Sequence, residues 1–199
     1  MPDNEIATFE RLRAAWRSQG APVADHLNPG LDDAALDDAE TSSGLLLPVE
    51  MRRWWGWHDG VRRRVAGTAL GPESRVGAGS WDLLSLDEAL RHRALMIQLT
   101  EEFEEEDEVF WRREWLPVVY YDGSYLFVTC GEPRTDHGEV RRWTRIPDDP
   151  DTVRAASWSE AVTVFADLLE SGGHTYDPET ERWEGPPRPH GDARIRGLL

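Results

Sequence analysis

The sequence predicts an α+β protein in which a central, mainly antiparallel sheet is flanked by helices. Apolar residues at helical spacing fill much of the first half of the chain, and period-two runs of β-branched and aromatic residues follow from Trp115. Helices followed by strands favour an antiparallel sheet over the alternating order of a parallel one. The 199 residues fit one domain, which we place at 1–184, with a flexible Pro-, Gly- and Arg-rich tail at 185–199.

Apolar spacing and capping residues predict five helices. In chain order they cover residues 5–18, residues 32–42, a segment from Pro48 to Gly60, residues 86–104 and a segment from Ser157 to Gly172. The last two begin at capping boxes, in which a serine hydroxyl accepts from the N–H of the glutamate three residues on and that glutamate reaches back. Pro48 suits the start of a helix, because a residue in the first turn has no partner for its N–H within the helix and proline lacks that N–H.

The strands are predicted from period-two runs separated by turn residues. Residues 115–121 and 124–130 read as a hairpin, because Asp122-Gly123 is a strong signal for a tight two-residue turn. A third strand is expected at 138–145, and a small hairpin at 174–183. Residues 61–80 read as a loop with at most one strand, since five of them are Gly or Pro.

The predicted core is formed by the apolar faces of these elements. We expect the following side chains to be buried: Phe9, Leu12, Leu47, Leu90, Val118, Phe127, Phe165 and Leu168. Trp54, Trp55 and Trp57 lie too close together in a helix for all three to face the same way. At least one of them should therefore be partly exposed, and an exposed Trp is a frequent anchor of protein interfaces.

The charge of the chain limits its partners. The 38 acidic residues exceed the 22 basic ones, all of them Arg, for a formal net charge of −16. This balance argues against nucleic acid or an anionic membrane as a partner, since both are bound through basic patches. It suits a basic protein, although solubility alone accounts for it equally well.

The strongest local charge is an acidic run near the end of the long helix. Its seven acids in eight residues are Glu101, Glu102, Glu104, Glu105, Glu106, Asp107 and Glu108. Calcium and magnesium cages need oxygen ligands alternating around a tight turn, and an unbroken run lacks that spacing. A solvated helix end is the simplest interpretation. A surface for a cationic partner is the functional alternative, and helix C-termini do not favour acids for folding alone.

No pattern of catalytic or cofactor-binding residues is found. The chain has no Gly-x-Ser-x-Gly elbow and no Gly-rich phosphate loop, and its six histidines are scattered singly. Cys130, the single cysteine, lies in a predicted strand and is expected to be a buried structural thiol. We therefore expect neither enzymatic activity, nor a cofactor, nor a bound metal. A hydrolase that uses carboxylates is the remaining enzymatic alternative.

The expected location is a reducing cytoplasm. One cysteine cannot form an intramolecular disulfide, and the polar N-terminus lacks the pattern of a signal peptide. No apolar run approaches the ~20 residues that span a bilayer. The oligomeric state is left open.

The order of several short motifs resembles the SUKH superfamily, also called the Smi/Knr family. The motifs are Glu40-x-x-x-Gly44-x-x-Leu47-Pro48, His58-Asp59-Gly60 after the next helix, Trp115-Leu116-Pro117, Asp122-Gly123, the Gly138-Glu139-Val140 strand and the helix from Ser157. The match spans roughly residues 10–175. The run 101–108 is more acidic than the family pattern requires, which points to surface chemistry specific to a partner.

The resemblance implies a SUKH-like α+β fold without enzymatic activity. Bacterial members resemble immunity proteins that neutralise toxins, many of them nucleases, whereas fungal members are scaffolding regulators of cell-wall assembly. We therefore expect a protein-binding domain, in the first place an immunity protein for a basic toxin, with a regulatory adaptor as the alternative. The candidate partner-binding residues are Trp57, Asp59 and the acidic run.

Overall fold

The computed structural model describes residues 2–62, 72–77, 81–103, 111–144, 150 and 152–185. These form helices α1 Pro2–Ser18, α2 Val23–His26, α3 Asp33–Ser43, α4 Val49–Trp57, α5 Leu86–Phe103 and α6 Trp158–Glu170, with a 3-10 turn at Pro72–Ser74. The strands are β1 Asp82–Leu83, β2 Trp115–Tyr121, β3 Ser124–Thr129, β4 Val140–Trp143, β5 Val153–Ala155, β6 Thr175–Asp177 and β7 Arg182–Glu184.

The first five strands form one antiparallel sheet in the order β1-β2-β3-β4-β5. The predicted α+β fold with helices flanking an antiparallel sheet is therefore confirmed. The β2–β3 hairpin is also confirmed, with Tyr121 opposite Ser124. Asp122 and Gly123 have φ angles of 42° and 78°, so both lie in the left-handed region that a tight hairpin turn requires.

The sheet separates two apolar clusters, because neighbouring residues of a strand point to opposite faces. In β3, Leu126 and Val128 join the larger cluster, to which α1, α4 and α6 also contribute. Tyr125 and Phe127 point the other way, into an aromatic cluster that includes Met96 of α5. The helices thus cover both faces of the sheet, and α5 contributes to both clusters, with Leu86 and Ala89 in the larger one and Met96 in the aromatic one.

The helix ends follow the predicted capping chemistry, with one shift. Ser85 and Glu88 form the reciprocal box, with bonds of 3.2 and 3.1 Å. Ser157 accepts from the N–H of Glu160 at 3.0 Å, but the Glu160 carboxylate accepts from Ala156, at 2.7 Å, and not from Ser157. In this second box the bond to the glutamate carboxylate therefore comes from the residue before the serine.

The predicted core is confirmed except at one position. Phe9, Leu12, Leu47, Val118, Phe127, Phe165 and Leu168 are buried, as expected. Leu90 was expected to be buried and is only partly so. Leu86 and Ala89 fill the inward stripe of α5, and Leu90 is rotated about 100° from Ala89, toward the edge of that stripe.

The observed strand boundaries differ from the predicted ones more than the helix boundaries do. The predicted third strand is shorter than expected, at Val140–Trp143, and Cys130 follows β3 instead of ending it. The short elements α2, β1 and β5 were not predicted. Residues 186–199, most of the predicted tail, lie outside the described part of the chain. Within that part, no helix is both long and apolar enough to cross a membrane.

Candidate protein-binding surface

The described part of the acidic run is exposed, as predicted. Glu101 and Glu102 occupy the last turns of α5 and face solvent. Glu101 pairs with Arg113 at 2.9 Å, and Glu102 accepts from the side chain of Gln98 at 2.7 Å. The remaining members, Glu104, Glu105, Glu106, Asp107 and Glu108, lie outside the described residues. The role of the run in binding stays a prediction.

Trp57 is the partly exposed member of the Trp cluster. Trp54 and Trp55 are buried, whereas Trp57, the last residue of α4, is accessible in part. Its ring lies 5.7 Å from Phe9 and 5.3 Å from Trp54, measured between centroids, and its indole N–H donates to Glu10 at 2.7 Å. The expectation that one of the three is exposed is confirmed, and the exposed ring is held in one orientation.

Asp59 serves the fold. Its carboxylate accepts from the N–H of Leu86, the first residue of α5, at 2.7 Å, and its carbonyl accepts from Asn28 at 2.9 Å. Burial raises the pKa of Asp59, and the bond from Leu86 opposes this shift. The residue therefore joins the end of α4 to the start of α5. A direct contact with a partner is not needed to explain it.

A hollow lies beside Trp57, where α1, α3 and α4 meet. It measures about 370 Å³, and we call it the Trp57 hollow. Its apolar lining is Ile6, Leu31, Leu36, Val49 and Trp57; Gly56 also lines it, and its charged residues are Asp33, Arg52 and Arg53. The residues come from separate parts of the chain, so no local pattern in the sequence indicated this site.

The two arginines of the Trp57 hollow are already engaged. Arg52 pairs with Asp33 at 3.2 Å and with Asp37 and Glu40 at 2.8 Å each. Arg53 pairs with Glu5 at 2.7 Å. Around Arg52 the carboxylates outnumber the guanidinium groups, so the local charge is negative even though two cations line the hollow.

Helix α3 presents an acidic face next to this hollow. Asp33, Asp37 and Asp38 are exposed, and the Asp33 side chain is 94% accessible. A second hollow of about 330 Å³ lies near the C-terminal end of α3 and is lined by Asp37, Glu40, Thr41, Gly44, Leu45, Leu46 and Glu132. The sequence showed that this helix is acidic, but its apolar neighbours were not predicted.

Glu40 fixes the segment that follows α3. Its buried carboxylate accepts from the N–H of Leu47 at 2.7 Å and makes a two-point contact with Arg134 at 2.7 and 2.8 Å. Gly44 ends α3 with a φ of 67° and donates its N–H to the Glu40 carbonyl. The Glu40, Gly44 and Leu47-Pro48 motif is therefore a structural unit that connects α3 to α4.

Cys130, the single cysteine, lies in the interior of the structure. Cys130 is buried, as expected, and burial raises the pKa of its thiol to about 12. Such a thiol is too weakly ionised at neutral pH to act as a nucleophile. Among the described residues, no group of three His, Cys, Asp or Glu side chains is arranged to hold a metal ion.

Comparison with known proteins identifies the family. A model of the SMI1/KNR4 family (SUKH-1) matches residues 30–163, which is about two thirds of the chain. The match covers α3, α4, α5, the whole five-stranded sheet and the first turns of α6. No curated protein matches the chain significantly. The chain belongs to the SMI1/KNR4 (SUKH-1) family.

Proposed function

We propose that this chain is a non-enzymatic immunity protein that binds and neutralises a basic toxin in the bacterial cytoplasm. A nuclease is the toxin class whose surface chemistry fits best, because nucleases present basic clefts to their nucleic-acid substrates. In this proposal the acidic surface of the chain covers such a cleft and excludes the substrate.

One observation carries the proposal: arginines pair with carboxylates of the chain itself, whereas the excess charge of the chain is negative. The net charge is −16, and many described arginines contact carboxylates of the chain itself. Arg11 contacts Asp167 at 2.6 Å, and Arg134 and Arg52 share the buried Glu40. Positive charge is thus used to hold the fold together, and the surplus that faces solvent is negative.

A surface of this kind gives a specific kinetic behaviour. Opposite net charges steer two proteins together and raise the association rate well above that of neutral pairs, and salt weakens the effect. Fast capture suits an immunity protein, because a toxin that is made or enters the cell must be bound before it acts. If the negative charge served solubility alone, no partner and no fast, salt-dependent association rate would be expected.

The experiment uses the protein encoded beside this chain in its native genome. If that neighbour is a basic toxin, the two purified proteins should form a stable complex in calorimetry, and the chain should abolish the toxin's activity at equimolar concentration. Co-expression should also restore growth of cells that make the toxin. A neighbour that does not bind, and whose toxicity the chain leaves unchanged, would refute the proposal.

A further inference from the structure

We propose that the Trp57 hollow is the anchor of the partner interface, and that it receives a large apolar side chain flanked by Arg or Lys in the partner's sequence. The inference rests on the proposed function, from which it takes the basic character of the partner protein. It adds the position of the contact and the kind of segment that makes it.

The apolar lining argues for an apolar anchor. Ile6 is 37% exposed, and Leu31, Val49 and Trp57 are each partly accessible in the free chain. A partner side chain placed among them would remove apolar surface from water on both molecules. Phe9, Trp54 and Glu10 already hold the Trp57 ring, so little conformational freedom is lost when the hollow is filled.

The charges around the hollow argue for basic flanking residues. Asp33 lies in its wall with an almost fully accessible side chain, and Glu10, which holds the Trp57 indole, is 49% accessible. Asp37 and Asp38 continue the acidic face along α3. An acidic partner segment would instead meet Arg52 and Arg53, whose guanidinium groups already contact carboxylates. Charge complementarity therefore selects a cationic segment.

Gly56 offers a way to block the hollow without disturbing the fold. It is an exposed residue of α4 that lines the hollow, and a Cβ built on it would meet only the Leu31 carbonyl oxygen, at 3.6 Å. That separation is an ordinary van der Waals contact. Gly56→Ala should fold normally, because Ala favours a helix more than Gly does. Gly56→Arg adds bulk and positive charge at the same place.

The first test needs no cognate partner. The probe is an acetylated decapeptide of alternating leucine and arginine, added to the isotope-labelled full chain in nuclear magnetic resonance spectra. We expect saturable shifts of the Trp57 indole N–H and of the Gly56 amide. Decapeptides of alternating serine and arginine, or of leucine and glutamate, should shift them much less. Absent shifts, or equal shifts with the serine peptide, would overturn the proposal.

The second test uses the toxin bound by the wild-type chain. Gly56→Arg should weaken that complex by about tenfold or more, as expected at an interface anchor. Gly56→Ala and Glu179→Ala, the latter at an exposed residue of the turn between β6 and β7, are the matched controls and should stay within about twofold. Equal affinity of Gly56→Arg and Gly56→Ala would overturn the proposal while leaving the immunity function intact. A toxin that the wild type does not bind contradicts the function instead.

Discussion

The carboxylate of Glu50 accepts a hydrogen bond of 3.0 Å from the backbone N–H of Trp158, the first residue of α6. Glu50 is fully buried, and it also accepts from the N–H groups of Gly138, at 2.9 Å, and Ser159, at 3.2 Å. The first N–H groups of a helix have no partner within the helix, and a negative charge there is favourable. One side chain of α4 thus fixes both the start of α6 and the chain entering β4.

Glu50→Ala should therefore destabilise the fold severely. The change leaves three backbone N–H groups without their acceptor, and each buried, unsatisfied donor costs about 1–3 kcal/mol. We expect a loss of about 3 kcal/mol or more in the free energy of unfolding, measured by urea denaturation at neutral pH. Glu139→Ala, at a half-exposed glutamate, is the control. A loss below about 1 kcal/mol for Glu50→Ala would show that water replaces the carboxylate at little cost.

A comparison of two ion pairs tests the role of Glu40. Glu40→Ala leaves Arg52 and Arg134 without their shared, buried carboxylate, and we expect a loss of about 3–5 kcal/mol. The pair between Arg91 and Asp87 is exposed on both sides, so Arg91→Ala should cost less than about 1 kcal/mol. Thermal denaturation of both variants measures the contrast. Similar losses would mean that Glu40 is not a structural centre.

Phe165 tests the packing of α6 against the sheet. The side chain is 3% exposed in the larger apolar cluster, and Phe165→Ala should cost about 3–5 kcal/mol through lost burial and the cavity left behind. Val153, at 43% exposure on β5, is the control, and Val153→Ala should cost well under half as much. The prediction fails if the thermal midpoint of the Phe165 variant equals that of the wild type.

His174 should make stability depend on pH. The residue is buried, neither ring nitrogen has a hydrogen-bond partner within the described structure, and burial lowers its pKa below the ordinary value of 6.5. The unfolded chain therefore binds the proton more readily, and the free energy of unfolding should fall as pH drops from about 6.5 toward the folded-state pKa.

The matched variant for this pH effect is His174→Gln, which removes the titrating group. Denaturation at several pH values between 5 and 8 should show a smaller slope for the variant below pH 6.5. Burial also lowers the pKa of His58, so part of the slope should remain. A variant whose stability falls with acid as steeply as that of the wild type would rule out His174 as a source of the effect.

The features that the sequence predicted correctly are mostly local ones. The Asp122-Gly123 turn and the Ser85 capping box depend on neighbouring residues, so their signals are complete within a few positions. The strands β1 and β5 have only two and three residues, which is too short for a period-two pattern. They exist because they pair with β2 and β4, and that pairing is not visible in their own sequences.

The candidate site was predictable only in part. Three tryptophans within four positions cannot share one helix face, and that geometric argument predicted that at least one is partly exposed; the structure shows that it is Trp57. The hollow beside it is formed by Ile6, Leu31 and Val49, which meet only after α1, α3 and α4 have packed. The bonds of Asp59 to the start of α5 are likewise long-range, so its structural role could not be inferred from the chain order.

The central claim is that an acidic surface steers this chain onto a basic protein partner. The most direct measurement is the association rate with the partner protein that the calorimetry identifies, by stopped flow, over a range of ionic strengths. We predict a wild-type rate that falls about tenfold or more as salt rises, and a slower, flatter dependence when Glu104, Glu105 and Glu106 are changed to Gln. Equal rates for the two proteins at low salt, or a wild-type rate that does not vary with salt, would contradict the claim.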